Sequence, residues 1–280
     1  MSKQWTAVIE PQNKLFDLKL KEVLKYKDLI WLFVRRNLKT RYKQTVLGPL
    51  WFVIQPLFTT IVQTFVFGSI AGLSTDGLPQ FLFYMAGNVP WAYFAACLTG
   101  TSNTFVGNAG VFGKVYFPRL TTPIATVITA MLNFLIQFVM FLGFAFYYMA
   151  KGANVNITYV AMLTPLIIIQ MAMLGMGFGI IISSMTTKYR DLQVFVSFGV
   201  QLWMYATPII YAASTLSPKL YKIIMLNPMA PIVELMRYGW LGAGTTPIFY
   251  WGISWITTFA VLFIGIIMFN KVEKTFMDTV

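Results

Sequence analysis

The sequence predicts an all-α integral membrane protein: six transmembrane helices, an N-terminal amphipathic interface helix, and re-entrant helices before the last span. Three observations carry this. Only 11% of the 280 residues are charged and 58% are hydrophobic, whereas a soluble domain averages about 25% charged; the mean hydropathy is +0.68. The charges gather at breaks, leaving residues 44–75, 77–113, 120–150, 152–187, 192–218 and 238–270 uncharged. Each run exceeds the roughly 20 apolar residues that cross a hydrocarbon core of about 30 Å. Within the runs the apolar residues are continuous, without the alternation over about ten residues that marks a barrel strand.

The first element lies outside the membrane. Residues 1–43 hold 11 of the 21 Lys and Arg and form a cytoplasmic N-terminal segment. Over residues 18–43 a helical period puts Leu20, Val23, Leu24, Ile30, Trp31, Val34 and Leu38 on one face. Lys21, Lys25, Asp28, Arg35, Arg36, Lys39 and Lys43 take the other, with Lys27 and Arg41 as exceptions on the apolar side. A basic amphipathic helix joined to a span lies in the interface plane, and each cation near an anionic leaflet adds about 1 kcal/mol of attraction. The solvent changes between Arg41 and Trp51, where the 44–270 transmembrane domain begins.

Orientation follows from the remaining cations. With residues 1–43 inside and six spans, the cytoplasmic side carries 17 Lys and Arg, including the tail 271–280, and the outside carries four: Lys151, Lys219, Lys222 and Arg237. The positive-inside rule then places both termini in the cytoplasm. Within the runs, Pro56, Pro90, Pro123, Pro165 and Pro208 kink or begin helices, because each removes a backbone donor. Gly175, Gly179 and Ser183 form a small-residue row that suits either packing within the subunit or a dimer seam.

Residues 212–245 break the pattern. They contain Ser217-Pro218, Asn227-Pro228, Pro231 and Gly242-Ala-Gly244, and set Lys219, Lys222, Glu234 and Arg237 among apolar residues. Two short helices that enter the outer leaflet and return fit this composition. Such backbone survives only under protein cover or beside a water-filled cavity.

Several chemistries are excluded. There is no histidine and one cysteine, Cys97, so the usual zinc and haem sites and an internal disulfide are absent. Gly113-Lys114 resembles the end of a P-loop, but Asn108 stands at its first glycine position and Val115 lacks the hydroxyl that binds magnesium. All nine Asp and Glu fall outside the spans as read, which argues against the buried carboxylates of ion-driven carriers and against a membrane enzyme with acidic metal ligands. The net charge of +12 crowds one side of the spans, the signature of topology and not of nucleic-acid binding. What remains is a non-enzymatic transport protein energised by another chain.

Five segments carry a resemblance. Arg41-Tyr-Lys-Gln-Thr-Val-Leu-Gly-Pro-Leu-Trp51, Gly113-Lys-Val-Tyr-Phe-Pro-Arg119, Tyr189-Arg-Asp-Leu192, Thr207-Pro-Ile-Ile-Tyr211, and Asn227-Pro228 with Arg237 are similar to the permease subunits of type-2 ABC transporters that export polysaccharides such as O-antigen, capsule or teichoic acid. The resemblance runs from about residue 18 to 270. It implies a homodimer in the bacterial cytoplasmic membrane and a separate nucleotide-binding subunit that holds ATP and Mg. This chain itself then needs no cofactor, metal or catalytic residue. It implies an ATPase-coupling turn at Lys114, Val115, Tyr116, Phe117, Pro118 and Arg119, and a translocation path along the first and fifth spans, where Trp51, Phe52, Phe58, Trp203, Tyr205 and Tyr211 lie. The expected substrate is a polyprenyl-pyrophosphate-linked polysaccharide, whose headgroup Arg35, Arg36, Lys39 and Lys43 would capture; membrane lipids are further partners. The same fold carrying teichoic acid, a lipid or a drug is the alternative, and a membrane enzyme of envelope-glycan synthesis is the alternative of another class.

The charge split generates a test of topology. In a Cys97→Ala background, single cysteines at Lys151 and Lys219 are expected to react with an impermeant thiol reagent added outside, and one at Lys188 is expected not to; labelling at 188 reverses the orientation.

Overall fold

The structure, a computed structural model, describes residues 20–43, 47–189 and 191–279. Residues 1–19 of the predicted cytoplasmic segment, 44–46 and Arg190 of two motifs, and Val280 of the tail lie outside the described residues. No strand occurs among those described. Lipid offers no partners for backbone polar groups, so continuously apolar segments satisfy them internally as helices.

Two helices, α1 (Leu20–Lys25) and α2 (Lys27–Tyr42), precede the membrane domain. A 3-10 turn, Gly48–Leu50, leads into α3 (Trp51–Gln63), which widens into a π-helical stretch, Thr64–Ile70. The second span is α4 (Gln80–Ser102), followed by the short α5 (Thr104–Phe112). Next come α6 (Thr121–Ala150), and α7 (Thr164–Thr186) behind a 3-10 turn at Tyr159–Leu163. The chain closes with α8 (Leu192–Tyr205), α9 (Pro218–Met225), α10 (Met229–Leu241) and α11 (Ile248–Thr279).

Five segments are long and apolar enough to cross: Gly48–Ile70, Gln80–Ser102, Thr121–Ala150, Tyr159–Thr186 and Ile248–Glu273. The predicted fifth span over 192–218 is shorter, a 14-residue helix of about 21 Å at 1.5 Å per residue. Proline explains the stop: Thr207 precedes Pro208, whose ring disfavours helical geometry in the residue before it. The last span also shifts. Helix α10 persists to Leu241 and ends on Gly242, whose φ of +74° is a left-handed cap; α11 then starts at Ile248 and runs through most of the predicted tail.

Helix α4 is the axis, packed against α3, α6, α7 and α10, and α7 in turn packs against α11. Glycine makes this contact close. A Cβ on Gly175 would lie 2.7 Å from that of Cys97, and one on Gly179 would lie 1.7 Å from Thr101 Oγ1 and 2.7 Å from the Leu98 carbonyl. On the opposite side of α7, a Cβ on Gly177 would meet the Leu262 backbone of α11 at 3.0 Å. Ser183 completes the row by accepting a hydrogen bond from the Phe105 N–H at 3.1 Å, which holds α5. The small-residue row therefore packs within the subunit.

Gly179→Leu is expected to cost more than the 1–3 kcal/mol typical of overpacking, seen as loss of monodisperse protein or a lowered unfolding temperature. Gly143→Leu on α6, with open space around its position, is the matched control and should leave both unchanged.

Candidate functional site

At the end of the bundle that the cation count assigns to the cytoplasm, the chain turns twice, at Asn103 between α4 and α5 and over residues 113–120 between α5 and α6. The second turn contains the six predicted coupling residues, and the structure divides them. Lys114, Val115 and Tyr116 are exposed, Val115 and Tyr116 by 60% and 64%. Phe117 is buried, its ring 5.6 Å from that of Phe33 on α2 and 5.7 Å from that of Phe112; Pro118 is buried beside it. Arg119 turns inward, donating from Nη1 to the Glu273 carbonyl of α11 at 2.8 Å and lying 5.5 Å over the Phe112 ring. Burial lowers the Arg119 pKa, against the opposing pull of the Glu273 carboxylate and Tyr116. Half of the predicted contact is thus an anchor for the other half.

The anchor is an aromatic cluster. Val34, Phe105, Phe117 and Phe269 are buried together with Val23, Phe33, Phe112 and Leu120, and Phe105 stacks on Phe269 at 4.5 Å. Helix α2 joins α6 through this cluster. Phe33, absent from the single apolar face read from the sequence, is one of its central residues. Leu24 and Trp31, read as part of that face, are 70% and 47% exposed. The helix has two apolar sides, one docked on protein and one open, which a single-stripe reading merges.

All four predicted capture residues, Arg35, Arg36, Lys39 and Lys43, are exposed. Their surroundings differ. The Arg35 guanidinium lies over Trp31 at 5.6 Å and that of Arg36 over Phe33 at 4.7 Å. Of the four, Arg36 lines a polar cleft of about 170 Å³ with Asn37, Asn103, Asn108, Thr122 and Thr126, and donates to Asn108 Oδ1 at 3.4 Å. The Thr122 and Thr126 hydroxyls donate to the carbonyls of Arg119 and Thr122, and Asn108 Nδ2 donates to that of Thr104, so the group here that suits an anionic oxygen is the guanidinium. The amides were not legible as a site because a map of charges omits them.

The predicted path residues also separate. Trp51, Phe58 and Tyr205 are 48%, 65% and 50% exposed, whereas Phe52 and Tyr211 are half-buried. Trp203 is a packing hub, 5.1 Å from both Phe94 and Phe178 and 6.3 Å from Trp91. Its Nε1 donates to Asn227 Oδ1 at 2.9 Å, and Asn227 Nδ2 donates to the Ala206 carbonyl at 3.0 Å and Thr207 Oγ1 at 2.9 Å.

The same region holds two buried charges. Glu234 and Arg237 on α10 are both fully buried. Arg237 donates from Nη1 to Glu234 Oε1 at 2.6 Å and from Nη2 to the carbonyls of Pro208 and Ile209 at 2.9 and 3.4 Å. Its guanidinium lies 3.8 Å over the Phe83 ring, and its Nε has no hydrogen-bond partner. Glu234 Oε2 accepts from the N–H and hydroxyl of Thr245, each at 3.0 Å. The backbone freed where α8 stops is therefore tied to α10. No cluster of metal-ligating side chains occurs among the described residues.

Comparison with known proteins finds a family and several relatives. The model of the family described as ABC-2 type transporter matches residues 28–241. An O-antigen export system permease protein RfbA of Klebsiella pneumoniae is 32% identical over 93% of this chain and 98% of its own. An O-antigen export system permease protein RfbA of Myxococcus xanthus is 28% identical over 78% and 80%. The polysialic acid transport protein KpsM of Escherichia coli is 21% identical over 87% and 93%.

Arg237→Met leaves Glu234 buried without its cation and is expected to destabilise the protein by about 3–5 kcal/mol. Adding Glu234→Met should recover part of that loss in thermal unfolding, which a purely steric role for Arg237 would not allow.

Proposed function

The chain belongs to the ABC-2 type transporter family, and we propose on that premise that it is the permease subunit of an ATP-driven exporter of a polyprenyl-pyrophosphate-linked, O-antigen-like polysaccharide. The observation that carries the coupling half of this reading is the exposed tip of Lys114, Val115 and Tyr116 on a buried aromatic base. Exposed aromatic and apolar residues on a rigid support are a protein contact, and the partner is the nucleotide-binding subunit that holds ATP and Mg. The substrate half is supported by the relatives being O-antigen export permeases and by the Arg36 cleft.

The assembly is a homodimer. What supports it is that α3 and α8 turn large apolar residues outward: Phe58, Ile61 and Val62 on one, Val194, Phe195 and Phe198 on the other. A second copy covers these faces and encloses the path between first and fifth spans. The complex sits in the bacterial cytoplasmic membrane with both termini inside, a reading that the cation split supports.

The step order follows from chemistry. The interface helix gathers the anionic lipid carrier, and Arg36 pairs its fork with pyrophosphate oxygens, which a lysine meets only as a point charge. ATP-driven closure of the partner then pushes on Tyr116. Phe117 and Arg119 pass that motion to α2 and α11, which they touch.

Alone, the purified chain should show no ATPase activity above background. In cells lacking it, the lipid-linked glycan should accumulate on the cytoplasmic side. Val115→Ser with Tyr116→Ala should lower export about tenfold or more, the scale of an interface hot spot, with the permease still folded. Arg36→Lys should lower export while Arg35→Lys leaves it near normal; equal export by both variants removes the cleft from capture.

A further inference from the structure

We infer that a cavity in the middle of the membrane, between α3, α4 and α6, binds a neutral, hydroxyl-rich sugar ring of the transported molecule. The inference rests on the polysaccharide reading above. The cavity measures about 290 Å³ and is lined by Gln55 and Thr59 of α3, Asn88 and Trp91 of α4, and Asn133 and Gln137 of α6. Gln55 with Thr59, and Asn133 with Gln137, are each four residues apart, so each pair shares one helix face. Polar side chains from three helices therefore converge where lipid-facing sequence would be apolar.

Their hydrogen bonds separate structural amides from available ones. Asn88 donates from Nδ2 to Gln63 Oε1 at 2.6 Å and to Thr60 Oγ1 at 3.4 Å, which pins α4 to α3. Asn133 is 7% exposed, and its Oδ1 has no hydrogen-bond partner. A buried amide oxygen left unpaired costs about 1–3 kcal/mol, and in a bilayer such a group marks a functional position. The cost is recovered when a hydroxyl donor reaches it.

The lining selects the ligand class. It contains no charged side chain, so a pyrophosphate has nothing to pair with here, in contrast to the Arg36 cleft. Amides offer both donors and acceptors, matching hydroxyls that do the same, and the ring of Phe52, half-buried in the same lining, supplies an apolar surface for the C–H face of a sugar. The volume lies at the lower end of the roughly 300–1,000 Å³ typical of small-ligand sites, enough for a single ring and not for a stretch of polymer. Asn133 stands 12 residues into α6, about 18 Å along its axis, so the ring is held midway across the bilayer.

The test uses the complete transporter in cells exporting their own glycan. A photoreactive benzoylphenylalanine replaces Gln137, and in a second strain Val139, two residues on along α6 and 67% exposed. After irradiation, the permease is isolated and stained for periodate-oxidisable carbohydrate. Staining at 137 without staining at 139 is the expected result. No carbohydrate at 137, equal staining at both, or a crosslink at 137 to a second copy of the chain overturns the inference. In parallel, Asn133→Leu, close in shape, should lower export per assembled complex about tenfold, and Asn133→Gln should retain most of it; normal export by the leucine variant also overturns it. Export by the unmodified chain, read in the same cells, separates the two levels. Export without crosslinking removes the cavity alone, whereas absence of any polysaccharide export removes the polysaccharide reading and the cavity with it.

Discussion

The end of the protein where α8, α10 and the link to α11 meet depends on one ion pair, Glu234 with Arg237, both without solvent exposure. Two charges in a low-dielectric interior are tolerated only when their mutual attraction is reinforced by further hydrogen bonds. Here the reinforcement comes from elsewhere in the chain. The carbonyls of Pro208 and Ile209 come from the break after α8, the Thr245 N–H comes from the link to α11, and the Phe83 ring comes from α4. The pair therefore fixes where three separate segments meet. Asn227 does the uncharged part of the same work, bonding Trp203, Ala206 and Thr207.

The opposite end, around the 113–120 turn, is held by different physics. Its anchor is a set of rings, Phe33, Phe105, Phe112, Phe117 and Phe269, whose contacts are dispersive and tolerant of angle. Arg119 adds directional contacts to Glu273 of α11, a hydrogen bond to its carbonyl and an ion pair with its carboxylate. A turn on such a base has little room to move independently of its neighbours, because they are close-packed. The polar junction depends on exact donor–acceptor geometry, whereas the aromatic one depends on close packing of rings.

Much of this architecture was legible in the sequence, since crossing a membrane leaves long uncharged runs with few alternatives. The runs at 44–75, 77–113, 120–150 and 152–187 each contain one long helix. Legibility failed where charge and hydropathy stop discriminating. The run 192–218 does not show that α8 ends at Tyr205, because a kinking proline and a terminating one look alike in composition. Nor does Arg237 announce its partner: Glu234 is three residues away in sequence, but the carbonyls it holds are 28 and 29 residues distant. At the candidate site, exposure of Arg35, Arg36, Lys39 and Lys43 could be read from helical period, while the cleft beside Arg36 and the division of residues 114–119 required tertiary contacts. Trp203 was placed on the path by its span, and the structure makes it a packing centre.

The close seam of α7 also bears on how such a sequence can drift. Gly175 and Gly179 face α4 while Gly177 faces α11, so even one added methyl group on either side pushes backbones apart. The outward residues of α11, among them Ile256, Phe259 and Phe263, meet only an environment that accepts any apolar shape. Substitutions should therefore accumulate freely on the outward faces of α6 and α11, while α7 stays nearly invariant on two sides. For this fold, the smallest side chains are the ones with the least freedom to change.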